Sequence, residues 1–184
     1  MNPAESMPTP ARTCCFTGHR PEMLPWGEDD MALDAMACKE ELEKKIRQVQ
    51  QAGCSYFMSG MARGIDLMAA EIVLGLKAEG LPIELHCIIP YRQQMNGFPP
   101  KDQQRYRAIL QKADVVNVLE EQYTQSCLLD RNCYMVDHSH YVIAVYNQNK
   151  KGGTFHAVRY AQKKGRTLML INPDSLGENP YCFF

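Results

Sequence analysis

The sequence predicts an α/β fold: an open, mostly parallel sheet with helices on both faces. Two observations predict it. Short apolar runs typical of strands alternate with segments of helical periodicity along most of the chain. In addition, three of the strand runs lead into glycine-containing turns, and such turns lie at the carboxyl ends of strands in open α/β sheets. Regular alternation implies crossover connections between parallel strands, with helices covering both faces of the sheet.

Six strands are expected from runs rich in apolar and β-branched residues. They are residues 13–17, 56–59, 83–89, 115–119, 141–146 and 167–171. The runs at 115–119 and 142–145 are short and dominated by valine and isoleucine, which predicts two central, buried strands.

Five helices are expected between these strands. The first has an apolar stripe at three- and four-residue steps and ends near Gly53. The second runs from about Gly64 to Lys77, the third carries its apolar side over 106–113, the fourth spans roughly 126–138, and the last runs from 154 to about 164. Two longer connections, 21–30 and 90–100, follow strand ends, so each is placed to cover a site.

The chain has 184 residues, which fits one domain of ordinary size. We expect a flexible N-terminal segment at 1–12, a single domain at 13–172 and a C-terminal tail at 173–184. The aromatic residues Tyr181, Phe183 and Phe184 of the tail would be able to dock on the domain or on a partner. A homodimer is compatible with such a tail.

Composition narrows the class of protein. The chain is 45% hydrophobic and 22% charged, which is typical of a soluble globular protein. With 20 basic and 21 acidic residues the net charge is −1, so nucleic acid is not expected as a partner, because dedicated binders show a basic excess. We find neither a signal peptide nor about 18 consecutive apolar residues, so no membrane partner is expected either.

Eight cysteines occur without any Cys-x-x-Cys pair. Cys127, Cys133, His138 and His140 are metal-ligand types, but their spacing matches no structural zinc pattern, so we expect no metal site. Many cysteines without a disulfide framework favour a reducing, cytoplasmic location.

The first turn comprises Thr17, Gly18, His19 and Arg20. It offers a hydroxyl, a permissive backbone and two side-chain donors, and Pro21 blocks helix continuation at that point, so we expect a loop. An arginine donates two N–H groups to one phosphate, so this turn is a candidate phosphate contact. The alternative is an exposed polar turn without a ligand.

The second turn joins a strand to a helix and is rich in small residues, which permit a close approach of the backbone to a ligand. Its candidate binding residues are Ser59, Gly60, Met61, Ala62, Arg63, Gly64 and Asp66. Asp66 lies in the first turn of the helix, where a carboxylate is stabilised by the helix dipole, or it binds a ribose hydroxyl. Both interpretations of Asp66 stay open.

The third turn consists of Gly152, Gly153 and Thr154. Thr154 is a helix N-cap, a phosphate contact or both. The chain has neither a Gly-x-x-x-x-Gly-Lys-Ser/Thr motif nor a Gly-x-Gly-x-x-Gly motif, which argues against a common nucleotide triphosphatase or dinucleotide dehydrogenase.

The three turns, in this order, resemble the SLOG superfamily, which groups the DNA-processing protein Smf/DprA with the Lonely Guy phosphoribohydrolases. The similarity is greatest to a bacterial branch that includes YpsA and YoqJ, and the segment from Arg131 to Asp137 supports that branch. The resemblance implies a Rossmann-like fold whose turns bind nucleotides or their derivatives. The Lonely Guy signature also carries a glutamate three residues after its threonine, where this chain has Ala157.

The first functional hypothesis is a protein that binds a nucleotide or an ADP-ribose-like derivative, as a ligand sensor. Its partner is a small, phosphate-bearing molecule, and no cofactor is required. The alternative is an N-glycosidic or phosphoribosyl hydrolase, with Glu71 or His19 as the candidate acid or base. A further alternative is a module that binds single-stranded nucleic acid.

Overall fold

The structure is a computed structural model, and it describes residues 8–176. Within these residues no helix has both the length and the apolar character needed to cross a membrane. Of the expected N-terminal segment, Pro10–Arg12 forms a 3₁₀ turn, and residues 1–7 lie outside the described part. The tail begins with another 3₁₀ turn, at Pro173–Ser175, and its aromatic residues lie outside the described part as well.

All six expected strands and all five expected helices are present. The strands are β1 (Thr13–Gly18), β2 (Tyr56–Ser59), β3 (Glu84–Ile89), β4 (Val115–Val118), β5 (Tyr141–Val145) and β6 (Thr167–Ile171). The helices are α1 (Leu33–Gln51), α2 (Ile65–Ala78), α3 (Pro100–Lys112), α4 (Cys127–Asp137) and α5 (Gly152–Lys163).

The strands form one six-stranded sheet in the order β4-β3-β2-β1-β5-β6, and every neighbouring pair is parallel. In the register of β1 with β5, Gly18 lies beside Val145 at the carboxyl ends. From β1 the chain builds outward to β4, then returns to the other side of β1 as β5. The connections after β1 and β5 therefore leave in opposite directions, which opens a crevice between their carboxyl ends. The predicted fold class is confirmed.

The two faces of the sheet have separate cores because successive side chains of a strand point to opposite faces. Cys14 and Phe16 of β1 pack in the larger core, with α1, α2 and α3. Cys15, between them in sequence, packs in a smaller core with Met135 of α4 and Ala161 of α5. The apolar stripe predicted for α1 is buried in the larger core: Ala35, Cys38, Leu42, Ile46 and Val49.

One expectation about the strands was wrong. The run at 115–119 was predicted to be a central strand, but β4 lies at the edge of the sheet, and Val115 and Val116 are 41% and 44% exposed. Valine-rich runs suit any pleated strand, so the run predicts a strand without predicting its position in the sheet. The run at 142–145 is an interior strand and is fully buried, as expected.

A glycine fixes the start of α2 against the end of β1. Gly64 has a φ of +84°, a conformation that side-chain-bearing residues rarely adopt. A Cβ at this position would lie 2.6 Å from the carbonyl oxygen of His19. The amide of Ile65 donates to that same oxygen at 3.4 Å. The turn before α2 is therefore held against the first turn by a contact that only glycine permits.

This contact predicts a stability difference between two glycines of the same region. Gly64→Ala should lower the free energy of unfolding by about 1–3 kcal/mol, because the new Cβ strains the backbone and meets the His19 carbonyl. Gly75→Ala is the matched control, since Gly75 lies inside α2 with open space around it, and it should be neutral or stabilising by about 0.5–1 kcal/mol. Urea denaturation of both variants measures the two effects, and equal losses would contradict the close contact at Gly64.

Candidate functional site

A cleft of about 610 Å³ opens at the carboxyl ends of β1 and β5. Its walls come from the turn after β1, the start of α2, the first half of α4 and the first turn of α5. This is the place where the strand order reverses, and open α/β sheets bind their ligands there. The cleft is lined by Thr17, Gly18, His19, Arg20, Glu22, Met23, Ala62, Asp66, Gln125, Leu128, Leu129, Arg131, Asn132, Asn149, Lys151, Gly152, Gly153 and Thr154.

Two of the three predicted turns lie entirely in the lining of the cleft. The first and third turns line the cleft with all their residues, whereas the second contributes only Ala62 and Asp66. The remaining residues predicted for the second turn do not line the cleft: Ser59, Gly60, Met61, Arg63 and Gly64. Ligand contact by any of the fourteen stays a prediction.

The second turn forms hydrogen bonds between its own residues. The amide of Met61 donates to Ser59 Oγ at 3.2 Å, and Ser59 Oγ donates to the carbonyl oxygen of Asp66 at 2.8 Å. The amide of Ala62 donates to Asp66 Oδ2, also at 3.2 Å. The protein itself therefore occupies the amides of Met61 and Ala62, and these two are not free for a ligand.

Arg63 lies outside the cleft in an ion-pair cluster. Its guanidinium donates to Asp102 Oδ2 at 2.8 Å, to Glu22 Oε1 at 2.6 Å, and to Glu28. These carboxylates belong to α3 and to the long connection after β1. Arg63 therefore ties that connection to α3, and its charge is already compensated by the protein.

The two acid–base candidates lie in different places. Glu71 forms a bidentate ion pair with Arg105, both contacts at 2.8 Å, and does not line the cleft. His19 does line it, and its Nε2 forms a hydrogen bond of 2.8 Å with Asn147 Oδ1. Burial lowers the pKa of His19, although the bond to Asn147 opposes the shift, and the lowered pKa favours the neutral imidazole.

The first turn of α5 presents unsatisfied donors to the cleft. In residues 8–176 no acceptor is found for the amides of Gly152, Gly153 and Thr154, and the Thr154 hydroxyl has no partner there either. Both glycines are exposed. The first amides of a helix carry partial positive charge, so this end of α5 is suited to accept an anion.

Two cationic side chains that form no ion pair with a described residue lie beside this helix end. Arg20 and Lys151 both line the cleft, and neither has an ion pair or side-chain hydrogen bond to any other described residue. Glu22 also lines the cleft, but its carboxylate is bound by Arg63. An anion in the cleft would therefore meet two cations that form no ion pair with a described carboxylate.

Arg131 is a cleft residue that was not among the predicted site residues. It comes from α4 and is buried, and its Nη1 donates to the carbonyl oxygen of Gly60 and lies 3.7 Å from Asp66 Oδ2. Its Nε donates to Asn132 Oδ1 at 2.9 Å. The guanidinium fills the space that a side chain at residue 60 would need, so Gly60 accommodates an arginine of the protein.

Burial disfavours the charged forms of both Asp66 and Arg131. Burial raises the pKa of Asp66, while the charge of Arg131 and the amide of Ala62 oppose that shift. Burial likewise lowers the pKa of Arg131, and the charge of Asp66 opposes it. For each group, the charge of the other is the largest effect that opposes burial, so the pair is sensitive to loss of either member.

The other residues that sequence reasoning missed come mostly from α4 and from the long connection after β1. They are Glu22, Met23, Gln125, Leu128, Leu129, Asn132, Asn149 and Lys151. Lys151 directly precedes the third turn, and Asn132 lies in the segment that supported the superfamily resemblance, so these two had a sequence signal. The α4 residues reach the cleft only because β5 returns beside β1, a fact of topology.

Related sequences come from bacteria. A UPF0398 protein of Bacillus thuringiensis strain Al Hakam is 26% identical over 157 residues, which is 84% of both chains. A UPF0398 protein of Halalkalibacterium halodurans is 26% identical over 144 residues, covering 75% of this chain and 76% of the relative.

Two solved structures of DNA processing protein A share the fold. The protein from Helicobacter pylori, described as binding single-stranded DNA, matches with a TM-score of 0.60 and 19% identity, over 88% of this chain and 65% of the other. The protein from Streptococcus pneumoniae matches with a TM-score of 0.59 and 19% identity, over 87% of this chain and 50% of the other. This chain thus spans less than two thirds of either structure.

These neighbours overturn one expectation. Nucleic acid was not expected as a partner because the net charge is −1. That exclusion was wrong, since a protein described as binding single-stranded DNA has the same fold. Net charge sums the whole chain, whereas binding responds to the local charge of a site, and the uncommitted cations here lie together in one cleft.

A sequence model of the YspA SLOG family matches residues 14–176. The match includes all three turns and Arg131, and it confirms the resemblance to the SLOG superfamily. This chain belongs to the YspA SLOG family.

Proposed function

We propose that the chain binds a nucleoside phosphate in the cleft, with the phosphate at the first turn of α5 and beside Arg20. One observation carries the proposal: the amides of Gly152 and Gly153, the Thr154 hydroxyl and the Arg20 guanidinium all border one cleft, and none of them is hydrogen-bonded or ion-paired to a described residue. A phosphate has the charge and the acceptor oxygens to bind all of them at once.

The apolar part of the cleft lining suits the nucleoside. Leu128 and Leu129 of α4 and Met23 of the first connection give the cleft an apolar surface, and Met23 and Leu129 are 45% and 40% exposed. Burial of such surface against a base stabilises the complex by about 25 cal/mol per Å². Asp66 remains a candidate contact for a ribose hydroxyl, because no described residue bonds to its Oδ1.

A second candidate function is the binding of single-stranded nucleic acid, which the description of the Helicobacter pylori neighbour favours. The same donors would then hold a phosphate within a strand. The hydrolase has less support: Glu71 is paired with Arg105 away from the cleft, and Ala157 stands where the Lonely Guy signature has glutamate. His19, the other acid–base candidate, lines the cleft, but its Nε2 is hydrogen-bonded to Asn147. We therefore propose a binding protein whose physiological role is that of a ligand sensor.

Replacing Arg20 tests the proposed phosphate contact. Arg20→Ala should weaken binding of AMP, ADP-ribose or thymidine monophosphate by about 1.5–3 kcal/mol, the value of a hydrogen bond to a charged group. Arg92→Ala is the matched control, because Arg92 is exposed, ion-paired with Glu121 and outside the cleft, and its loss should leave affinity unchanged. Isothermal titration calorimetry measures both. Equal affinities for the wild type and Arg20→Ala would remove Arg20 from the site.

Replacing Arg63 separates a structural arginine from a ligand-binding one. Arg63→Ala should lower the free energy of unfolding by about 1–3 kcal/mol, because it leaves the buried carboxylate of Asp102 with fewer partners. Nucleotide affinity of the folded variant should not change. Denaturant titration and calorimetry on one preparation give both values. A loss of affinity with unchanged stability would show that Arg63 acts on the ligand, as the sequence alone suggests.

A further inference from the structure

A second pocket of about 280 Å³ lies next to the cleft, beyond the carboxyl ends of β2 and β3. It has Arg20, Ala62 and Leu128 in common with the cleft, so the two cavities share a wall. The other residues that line it are Arg63, Tyr91, Gln94, Gly97 and Phe98. Most of these belong to the long connection after β3, which was singled out from the sequence as able to cover a site.

Two aromatic residues line this pocket, and each packs against a tyrosine. Phe98 packs edge-on against the buried ring of Tyr106, with the ring centroids 5.9 Å apart. Tyr91 packs edge-on against Tyr123 at 5.4 Å, and Tyr123 is 62% exposed. Aromatic rings held on a surface beside an anion site are the groups on which nucleobases stack.

Most polar groups of the pocket are already hydrogen-bonded or ion-paired within the protein. The buried Gln94 donates from Nε2 to the carbonyl oxygen of Gly60 and accepts from the Tyr106 hydroxyl, both at 3.1 Å. Arg63 is bound by three carboxylates. Arg20, on the shared wall, is the cation of this pocket that forms no side-chain hydrogen bond or ion pair with a described residue. The pocket therefore suits an uncharged aromatic group, with an anion at the wall it shares with the cleft.

We propose that this pocket is a second subsite, which accepts a nucleobase, and that the ligand contains two nucleosides joined through phosphate. One nucleoside lies in the cleft, the linking phosphate passes beside Arg20, and the second base stacks on Tyr91. The inference rests on the proposed function, because it assumes a nucleoside phosphate in the cleft. Both a strand of nucleic acid and a pyrophosphate-linked dinucleotide have this chemistry.

Paired ligands test the second subsite. The full chain is titrated by calorimetry with thymidine monophosphate and phosphorylated dithymidylate, and separately with AMP and diadenosine diphosphate. In at least one pair the two-base ligand should bind roughly tenfold or more tightly than its mononucleotide, the gain expected from one stacked base. A gain confined to the thymidylate pair identifies a phosphodiester strand, and a gain confined to the adenosine pair identifies a pyrophosphate-linked dinucleotide.

Three variants identify the stacking ring. Tyr91→Ala should abolish the gain and leave mononucleotide affinity unchanged, whereas Tyr91→Phe, which retains the ring, should keep the gain. Tyr123→Ala, at an exposed position, should reduce the gain without affecting folding.

Equal affinity for one-base and two-base ligands would overturn the second subsite and leave the proposed function standing. A Tyr91→Ala variant that weakens the mononucleotide as much as the two-base ligand would also overturn it, because the residue would then act on the fold of the site. Absence of binding by all four ligands would overturn the proposed function itself.

Discussion

The buried guanidinium of Arg131 connects the two faces of the sheet at the place where the cleft opens. It extends from α4 on one face to the carbonyl oxygen of Gly60 and the carboxylate of Asp66, which belong to the β2–α2 segment on the other. Burying an ion costs several kcal/mol unless it is paired and hydrogen-bonded, and Arg131 has both kinds of contact. Arg131 therefore ties α4 to the β2–α2 segment at the wall of the cleft.

Around this contact the polar groups fall into two classes. In the first class, groups of the second turn bond to each other, Arg63 pairs with Asp102, and Glu71 pairs with Arg105. These contacts stabilise the fold. The first amides of α5 and the Arg20 guanidinium form no hydrogen bond or ion pair with a described residue, and they border the cleft. In a protein where most polar groups are paired, a concentration of unpaired donors in one concave place is the feature that indicates a ligand.

Sequence reasoning predicted the fold well because periodicity and alternation determine which segments are strands and helices. It failed for β4, since a valine-rich run suits an edge strand as well as a central one. At the site, residue types predicted turns rich in donors, but they did not show that Ser59 and Asp66 occupy the amides of the second turn. Arg131 lies more than sixty residues from Gly60 in sequence, and only the packing of α4 brings them together.

Nuclear magnetic resonance of the backbone amides tests the central claim most directly. In a titration of uniformly ¹⁵N-labelled protein with AMP, the amide signals of Gly152 and Gly153 should shift most, since their N–H groups gain a phosphate acceptor. The amides of Met61 and Ala62 should shift little, because protein oxygens already occupy them. Large shifts at Met61 and Ala62 without any at Gly152 and Gly153 would contradict the account and return the phosphate to the second turn.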